Sequence, residues 1–222
     1  MNPQFDWRDS MTHQVPTLTF PQACERLQTF LARSARTLLG IIGPPGAGKS
    51  TLSARLQALH SRQSQIVPMD GYHLANIELA RLGRAGRKGA PDTFDGHGFR
   101  SLLERLRRQR DDEIIYAPEF RRAIEEPIAG AIPIFPQARL IIAEGNYLAL
   151  DQGDWRPVAP LLDELWYVQV DPAVRWQRLL ARHMQFGRSL QDAEDWMKNT
   201  DEPNARLIES TLPRVHFKVT QE

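Results

Sequence analysis

An eight-residue glycine-rich segment, residues 43–50, most constrains how this chain can fold. It follows the short apolar run of residues 37–43, which is typical of a buried strand, and it opens a helical stretch from Lys49 to His60. Its spacing, G-x-x-x-x-G-K-S, is that of a phosphate-binding loop, and a strand before it with a helix after it is the context that supports this interpretation. The predicted phosphate-binding residues are Gly43, Pro44, Pro45, Gly46, Ala47, Gly48, Lys49, Ser50 and Thr51.

The chemistry of this loop comes from its backbone and from two side chains. Glycines let several N–H groups turn inward toward phosphate oxygens, and a helix N-terminus adds partial positive charge. We expect Lys49 to reach the β- and γ-phosphates and the Ser50 hydroxyl to ligate Mg²⁺. The alternative is a Gly/Pro-rich turn that only connects a strand to a helix.

Further apolar runs alternate with helical patterns along the chain. This alternation predicts a doubly wound α/β fold with a mainly parallel sheet that helices cover on both faces. In such sheets, ligands bind at the carboxyl ends of the strands. The further predicted strands span residues 65–70, 139–145, 165–170 and 215–219, and the further predicted helices span residues 21–35, 101–110, 172–186 and 189–212.

The bulk composition limits the classes of function. The 222 residues suit one domain, over residues 20–222, after a loosely ordered lead-in over residues 1–19. A net charge of +1 gives no indication of a nucleic-acid or membrane partner, and there is no apolar run of membrane-spanning length. The single cysteine, Cys24, and the absence of an apolar leader predict a cytoplasmic protein.

Two of the predicted strands end in a carboxylate. Asp70 ends the second strand and Glu144 the third, so both should lie at the sheet edge that carries the glycine-rich loop. Phosphoryl transfer to a hydroxyl needs one carboxylate to take or orient the proton and another to hold Mg²⁺. We assign Asp70 as the base and Glu144 as the acid on the metal side. Either one alone could instead be a helix cap or a surface acid.

Six segments together resemble the phosphoribulokinase/uridine kinase family of P-loop kinases, which includes the bacterial type I pantothenate kinases. They are GPPGAGKS, MDGYH, PDTFD, YAPEF, IIAEGNYL and ARHMQFGRS, and the similarity runs from about residue 37 to residue 219. The resemblance implies a P-loop NTPase fold with a helical lid, ATP and Mg²⁺ as cofactors and a small-molecule acceptor. It also implies that Asp70, which precedes a Gly-aromatic-His segment, is the catalytic base.

The family resemblance also implies an acceptor-side insertion around residues 72–135. There the sequence departs from the family, with Phe120 in place of a tyrosine and Arg122 in place of the histidine of pantothenate kinases. An arginine suits an acceptor that carries a carboxylate or phosphate, although it could also be a surface residue beside acidic neighbours. Asn204 could bind substrate or cap a helix, and His73 could touch the acceptor or satisfy the turn after Asp70. The candidate substrate-binding residues are Tyr72, His73, Phe120, Arg122 and Asn204.

Arginines recur at helical spacing in the segment that resembles the family's lid, about residues 175–190. Arg175, Arg178 and Arg182 share one helical face, Gly187 breaks the helix and Arg188 follows. Cations near a transferring phosphoryl group offset its charge. We assign Arg178 to nucleotide binding and Arg182 to catalysis, with Arg188 as a third candidate. The alternative is a solvated basic face.

The basic run over residues 81–89 has no interleaved aromatic residues, and we interpret it as a flexible loop beside the acceptor pocket. No N-K-x-D segment for guanine recognition is present. The sequence therefore predicts an ATP-dependent kinase that acts on a sugar, nucleoside or pantothenate-like hydroxyl. Its rivals are an NTPase that hydrolyses ATP as a switch and a regulatory module without turnover, and a homo-oligomer is left open.

Overall fold

The structure, a computed structural model, describes residues 14–33 and 35–221. Six strands form a parallel sheet in the order β1-β8-β7-β2-β6-β3, and two further strands, β4 and β5, form a separate antiparallel hairpin. The strands are β1 (Thr17–Leu18), β2 (Thr37–Ile42), β3 (Ser64–Pro68), β4 (Ile115–Arg121), β5 (Glu126–Ile134), β6 (Leu140–Glu144), β7 (Glu164–Val168) and β8 (Phe217–Val219).

The central strands are apolar on both faces because helices cover both sides of the sheet. Along β2, Leu38 and Ile42 face one hydrophobic core, whereas Leu39 and Ile41 face the other. All six residues of β2 are buried, as the continuous apolar run predicts. The carboxyl end of β2, where the chain enters the glycine-rich loop, is therefore held firmly from both sides.

Seven α-helices within the described residues flank the sheet and the hairpin. α1 begins with a capping box between Thr19 and Gln22. None of these helices is long and apolar enough to cross a lipid bilayer. The helices are α1 (Phe20–Leu31), α2 (Lys49–Leu59), α3 (Asn76–Arg81), α4 (Gly96–Arg107), α5 (Pro172–Gln185), α6 (Leu190–Trp196) and α7 (Glu202–Glu209), with a π-helical turn (Met197–Asp201) between the last two.

The doubly wound α/β fold with a mainly parallel sheet is confirmed. β3 is an edge strand, in accord with the proline at its end. The helix predicted from residue 101 begins earlier, at Gly96, because the Asp95 side chain accepts a hydrogen bond from the Gly98 amide and caps it. The predicted lead-in over residues 1–19 needs correction at its end, since β1 pairs with β8 there. Residues 1–13 of that segment lie outside the described residues.

The hairpin β4–β5 was not predicted, because Pro118, Pro127 and Pro133 interrupt its two strands. Its backbone packs closely on the 3₁₀ turn (Met69–Tyr72) that follows β3. A Cβ atom added to Gly71 would lie only 2.2 Å from the carbonyl oxygen of Pro118. Glycine at this position therefore lets the hairpin approach the segment that carries Asp70.

We expect Gly71→Ala to lower the free energy of unfolding by about 1–3 kcal/mol, because the added methyl group would collide with backbone atoms that cannot move aside. Urea denaturation of the purified variants measures this change. Gly86→Ala is the matched control, since a Cβ there meets no atom within 4 Å, and it should lose no stability. An equal loss at both positions would contradict the close packing at Gly71.

Candidate functional site

The glycine-rich loop, here called the P-loop (residues 43–50), leads from β2 into α2 with an uncapped helix N-terminus. Gly48 is the N-cap residue, in the left-handed region at φ 92°, and no side chain caps the helix. The first intrahelical bond runs from the Leu52 amide to the Gly48 carbonyl. The three preceding amides lack acceptors within the helix, so they are available to an anion.

A second glycine lets the P-loop pack against the lid helix α5. Gly46 has a φ of 80°, and a Cβ atom there would lie 2.7 Å from Cγ of Leu179. Arg175 is buried beneath the loop, where it donates to the Pro45 carbonyl at 3.4 Å and pairs with Glu202. Arg175 thus supports the loop from below and does not face the cleft.

Lys49 lies at the mouth of the P-loop. Its Nζ donates to the carbonyl oxygens of Gly43 at 2.9 Å and Pro44 at 3.3 Å. Burial lowers the pKa of the Lys49 ammonium to about 8, although the carboxylates of Glu144 and Asp70 oppose that shift. A phosphate group beside this ammonium would raise its pKa back toward the usual value. The attraction between the two charges would therefore stabilise a bound anion at this site.

Ser50 and Glu144 face each other across the loop. The Ser50 hydroxyl lies 3.0 Å from each carboxylate oxygen of Glu144. Burial raises the pKa of Glu144, and Lys49 partly offsets this effect. No cluster of three or more His, Cys, Asp or Glu side chains suited to a metal occurs in the described part of the chain. A hydroxyl and one carboxylate nevertheless fit Mg²⁺, which takes its other ligands from phosphate and water.

Asp70 lies across the cleft from the P-loop, in the 3₁₀ turn after β3. Its Oδ2 accepts a hydrogen bond from Nη2 of Arg122 at 3.2 Å, which joins β3 to the hairpin. Nδ1 of His73 donates to the backbone carbonyl of Asp70 at 2.8 Å. Burial lowers the pKa of His73. This turn therefore holds the Asp70 carboxylate next to a fixed cation.

Aromatic rings form the floor of the cleft beside Asp70. The His73 ring lies between Phe94, at 4.0 Å, and Phe120, at 4.5 Å between ring centroids. His73 thus satisfies the turn and also lines the cleft. Tyr72 was a candidate substrate-binding residue, and the structure corrects this. Its ring packs edge to face on Phe99 at the core, and the residue does not line the cleft.

Arg178 and Arg182 of α5 project toward the cleft, and α5 ends just before Gly187. Burial and the nearby Arg122 lower the pKa of Arg182, and the structure shows no hydrogen-bonding partner for its side chain among the described residues. Arg188 lies over the ring of Trp196, with Cζ 4.0 Å from the centroid. All three arginines therefore lie where a lid would place them.

These elements enclose one cleft of about 790 Å³. It contains most of the predicted site residues, whereas Gly43, Pro44 and Ala47 are buried behind the surface of the loop. The predicted residues that line the cleft are Pro45, Gly46, Gly48, Lys49, Ser50, Thr51, Asp70, His73, Phe120, Arg122, Glu144, Arg178, Arg182, Arg188 and Asn204.

Asn204 does not cap a helix. It lies inside α7, buried, and its Nδ2 donates to the Gly89 carbonyl at 3.4 Å, so that it borders the cleft and holds the basic loop. The hydroxyl of Tyr147 donates to the same carbonyl at 2.5 Å. The loop over residues 81–89, predicted to be flexible, is therefore attached to the body of the protein at Gly89.

Some residues of the cleft were missed by the sequence analysis. Lys88, one of only four lysines, enters the cleft from the basic loop, and its rarity was the one available signal. His183 and Asp201 also line it and are joined at 2.7 Å between Nε2 and Oδ2. These two residues are 18 positions apart in the sequence, so no local spacing could have indicated the pair.

Comparisons with known proteins give related chains but no matching family model. A Schizosaccharomyces pombe protein, named as a candidate uridine kinase, is 34% identical over 192 residues, which are 82% of this chain and 81% of the relative. The ATP-dependent kinase-like protein notR' of Aspergillus versicolor is 38% identical over 154 residues, 65% of this chain and 90% of the relative.

One solved structure is similar in both sequence and fold. It is a candidate fructose transport system kinase from Silicibacter sp. TM1040, which is 35% identical and superposes with a TM-score of 0.82. The match covers 90% of this chain and 98% of the other. The described cleft is therefore carried by a fold that is shared along almost the whole chain.

The lowered pKa of Lys49 predicts a pH dependence of ATP binding. Below about pH 8 Nζ is protonated and attracts phosphate, whereas above it the free protein loses that charge. We expect the ATP association constant to fall by up to about tenfold per pH unit above pH 8. Calorimetry from pH 6.5 to 9.5 measures it. Lys49→Arg should show a flatter profile, since guanidinium stays charged. A flat wild-type profile would contradict this role.

Proposed function

This chain belongs to the phosphoribulokinase/uridine kinase family of P-loop kinases, and we propose that it phosphorylates a hydroxyl group of a sugar or a sugar-derived metabolite. As a member it is an ATP-dependent phosphotransferase with an alcohol acceptor and a small-molecule substrate. The proposal concerns the acceptor and the roles of the individual side chains.

One observation carries these roles: Asp70 lines the same cleft as the P-loop, from the turn after β3 at the same edge of the sheet, with β6 between β3 and β2. A hydroxyl between Asp70 and the P-loop would have a proton acceptor on one side and the phosphoryl group of ATP on the other. A hydrolase needs only to place a water molecule there. The aromatic floor with a few polar groups instead suits an organic acceptor.

The reaction is an in-line displacement at the γ-phosphorus of ATP. The acceptor oxygen forms a bond to phosphorus, the bond to the β,γ-bridging oxygen breaks, and ADP leaves with that electron pair. Asp70 takes the hydroxyl proton, while Lys49 and Arg182 offset negative charge on the transferring group. Mg²⁺, when bound through Ser50 and Glu144, would supply charge neutralisation at the phosphates.

A sugar-like acceptor is supported by the floor of the cleft and by the relatives. The half-buried ring of Phe120 offers apolar surface to the C–H face of a sugar, and Phe94 supports it from the core through His73. Asp70 and Arg122 offer polar groups beside it. Of the relatives compared above, one is named for uridine, which contains a ribose, and one for fructose transport. A hydroxylated ring or chain is the chemistry these share.

A test of transfer measures ADP release with Mg·ATP and a panel of sugars, sugar derivatives, nucleosides and pantothenate, and identifies the product by mass spectrometry. We expect at least one sugar or sugar derivative to accelerate ADP release and to gain one phosphoryl group. ADP release that no acceptor accelerates would favour hydrolysis and overturn the proposal. Preference for pantothenate would keep the kinase and reject the sugar.

Asp70→Asn tests the base. We expect kcat to fall by about 10²–10⁴-fold, because the amide cannot accept the hydroxyl proton, while ATP affinity changes little. Steady-state kinetics and calorimetry with ATP measure the two quantities. Asp111→Asn, at an exposed position away from the cleft, is the matched control. Wild-type turnover in the Asp70 variant would remove Asp70 from this role.

A further inference from the structure

Lys88 lies in the cleft with neutral partners only. Its Nζ donates to Oδ1 of Asn76 at 2.6 Å and to the backbone carbonyl of Glu125. It also lies 5.1 Å from the centroid of the Phe120 ring. Among the described residues, no carboxylate comes within ion-pair distance of this ammonium. A half-buried cation held by neutral oxygens retains most of its capacity to attract an anion.

The carboxylates of the two nearest acidic residues, Glu125 and Glu126, do not form an ion pair with Lys88. Both carboxylate oxygens of Glu126 accept hydrogen bonds from the Asn76 amide, at 3.0 and 3.1 Å. Glu125 contacts Lys88 through its carbonyl, and its carboxylate acts only at longer range. Burial lowers the pKa of Lys88, as expected for a cation without an ion-pair partner.

Arg122 approaches the same ring from the hairpin. Its Cζ lies 5.9 Å from the Phe120 centroid, and only its Nη2 binds Asp70. The other donors of the guanidinium have no partner among the described residues. Lys88 and Arg122 both act electrostatically on His73, which stacks on Phe120. The two cations therefore share one part of the cleft, on the acceptor side of Asp70.

From these contacts we infer that Lys88 and Arg122 form an anion-binding subsite, which recognises a phosphate or carboxylate group carried by the acceptor. The inference rests on the proposed kinase function and deepens it, because it names the substrate class as an anionic sugar derivative. Arg122 spans the two functions, since one of its nitrogens orients the base and the others face the anion. The ammonium of Lys88 supplies a second positive charge near the same Phe120 ring.

A purely structural role for Lys88 gives different expectations. As a clamp, it would only join the basic loop to the hairpin through Asn76 and Glu125. Its loss would then lower stability and kcat for every acceptor alike. As an anion ligand, it acts mainly on the KM of acceptors that carry the charged group, so kinetics with matched acceptors separate the two roles.

The experiment compares three matched pairs of acceptors: D-fructose with its 6-phosphate, D-ribose with its 5-phosphate, and glycerol with D-glycerate. The first two pairs test a phosphate and the third a carboxylate. We expect the anionic member of at least one pair to have a kcat/KM at least tenfold above its neutral partner. Calorimetry of the same pairs with Mg·AMP-PNP in the P-loop measures binding without turnover.

Lys88→Met then tests the residue itself. We expect the KM of the preferred anionic acceptor to rise by about 10- to 100-fold, the usual effect of losing a hydrogen bond between charged groups. Lys88→Arg should recover much of the loss. Lys198→Met is the matched control, since Lys198 is exposed and lies outside the cleft, and it should leave both constants unchanged.

The outcomes separate the two proposals. Equal or better use of the neutral acceptors, or an unchanged KM in Lys88→Met, would overturn the anion subsite while the kinase assignment stands. If no acceptor in any assay accelerates ADP release, the proposed function fails. The subsite is then judged by calorimetry alone, where saturable binding of an anionic member that Lys88→Met abolishes supports it, and absent binding overturns it.

Discussion

The site depends on one constraint: α2 must begin without a cap, directly after the central strand of a sheet that is buried on both faces. Gly48 in the left-handed region gives the turn that no other residue adopts cheaply, and it leaves the first amides of α2 without partners. Because β2 is held by β6 and β7 on either side, these amides cannot move to find other acceptors. An anion is the group that satisfies them best.

The register of the sheet places the acids relative to that turn. Ile41 of β2 pairs with Glu144 of β6, and Pro68 of β3 pairs with the same glutamate from the other side. The Glu144 carboxylate therefore reaches Ser50, and the turn after β3 brings Asp70 to the same edge. Burial opposes the charges on Lys49 and Glu144, which is a stability cost that an active site commonly carries.

Much of this could be predicted from local pattern. The P-loop spacing, the carboxylates at or just after the ends of two strands, and the arginines at helical spacing in α5 depend on residues close together in the chain. Asp70 was expected to end its strand, but β3 ends at Pro68 and Asp70 lies in the 3₁₀ turn that follows. The misses share a different cause. The hairpin was missed because prolines interrupt its strands, and Tyr72 packs on Phe99 in the core. For Asn204, the alternative of a helix cap fails because the residue lies within α7. Each outcome depends on packing partners that are distant in sequence.

The sequence by itself determined the fold class and the phosphate-binding loop, because these follow from periodicity and spacing within short segments. It indicated the kinase family through the resemblance of six short segments to known P-loop kinases. Only the tertiary structure decided how the acceptor side is built. Arg122 meets Asp70 across 52 positions of sequence, and Lys88 meets Glu125 across 37. Such contacts depend on how the hairpin and the basic loop pack on the sheet edge. That packing is a property of the whole folded chain, and it sets the charges that an acceptor meets.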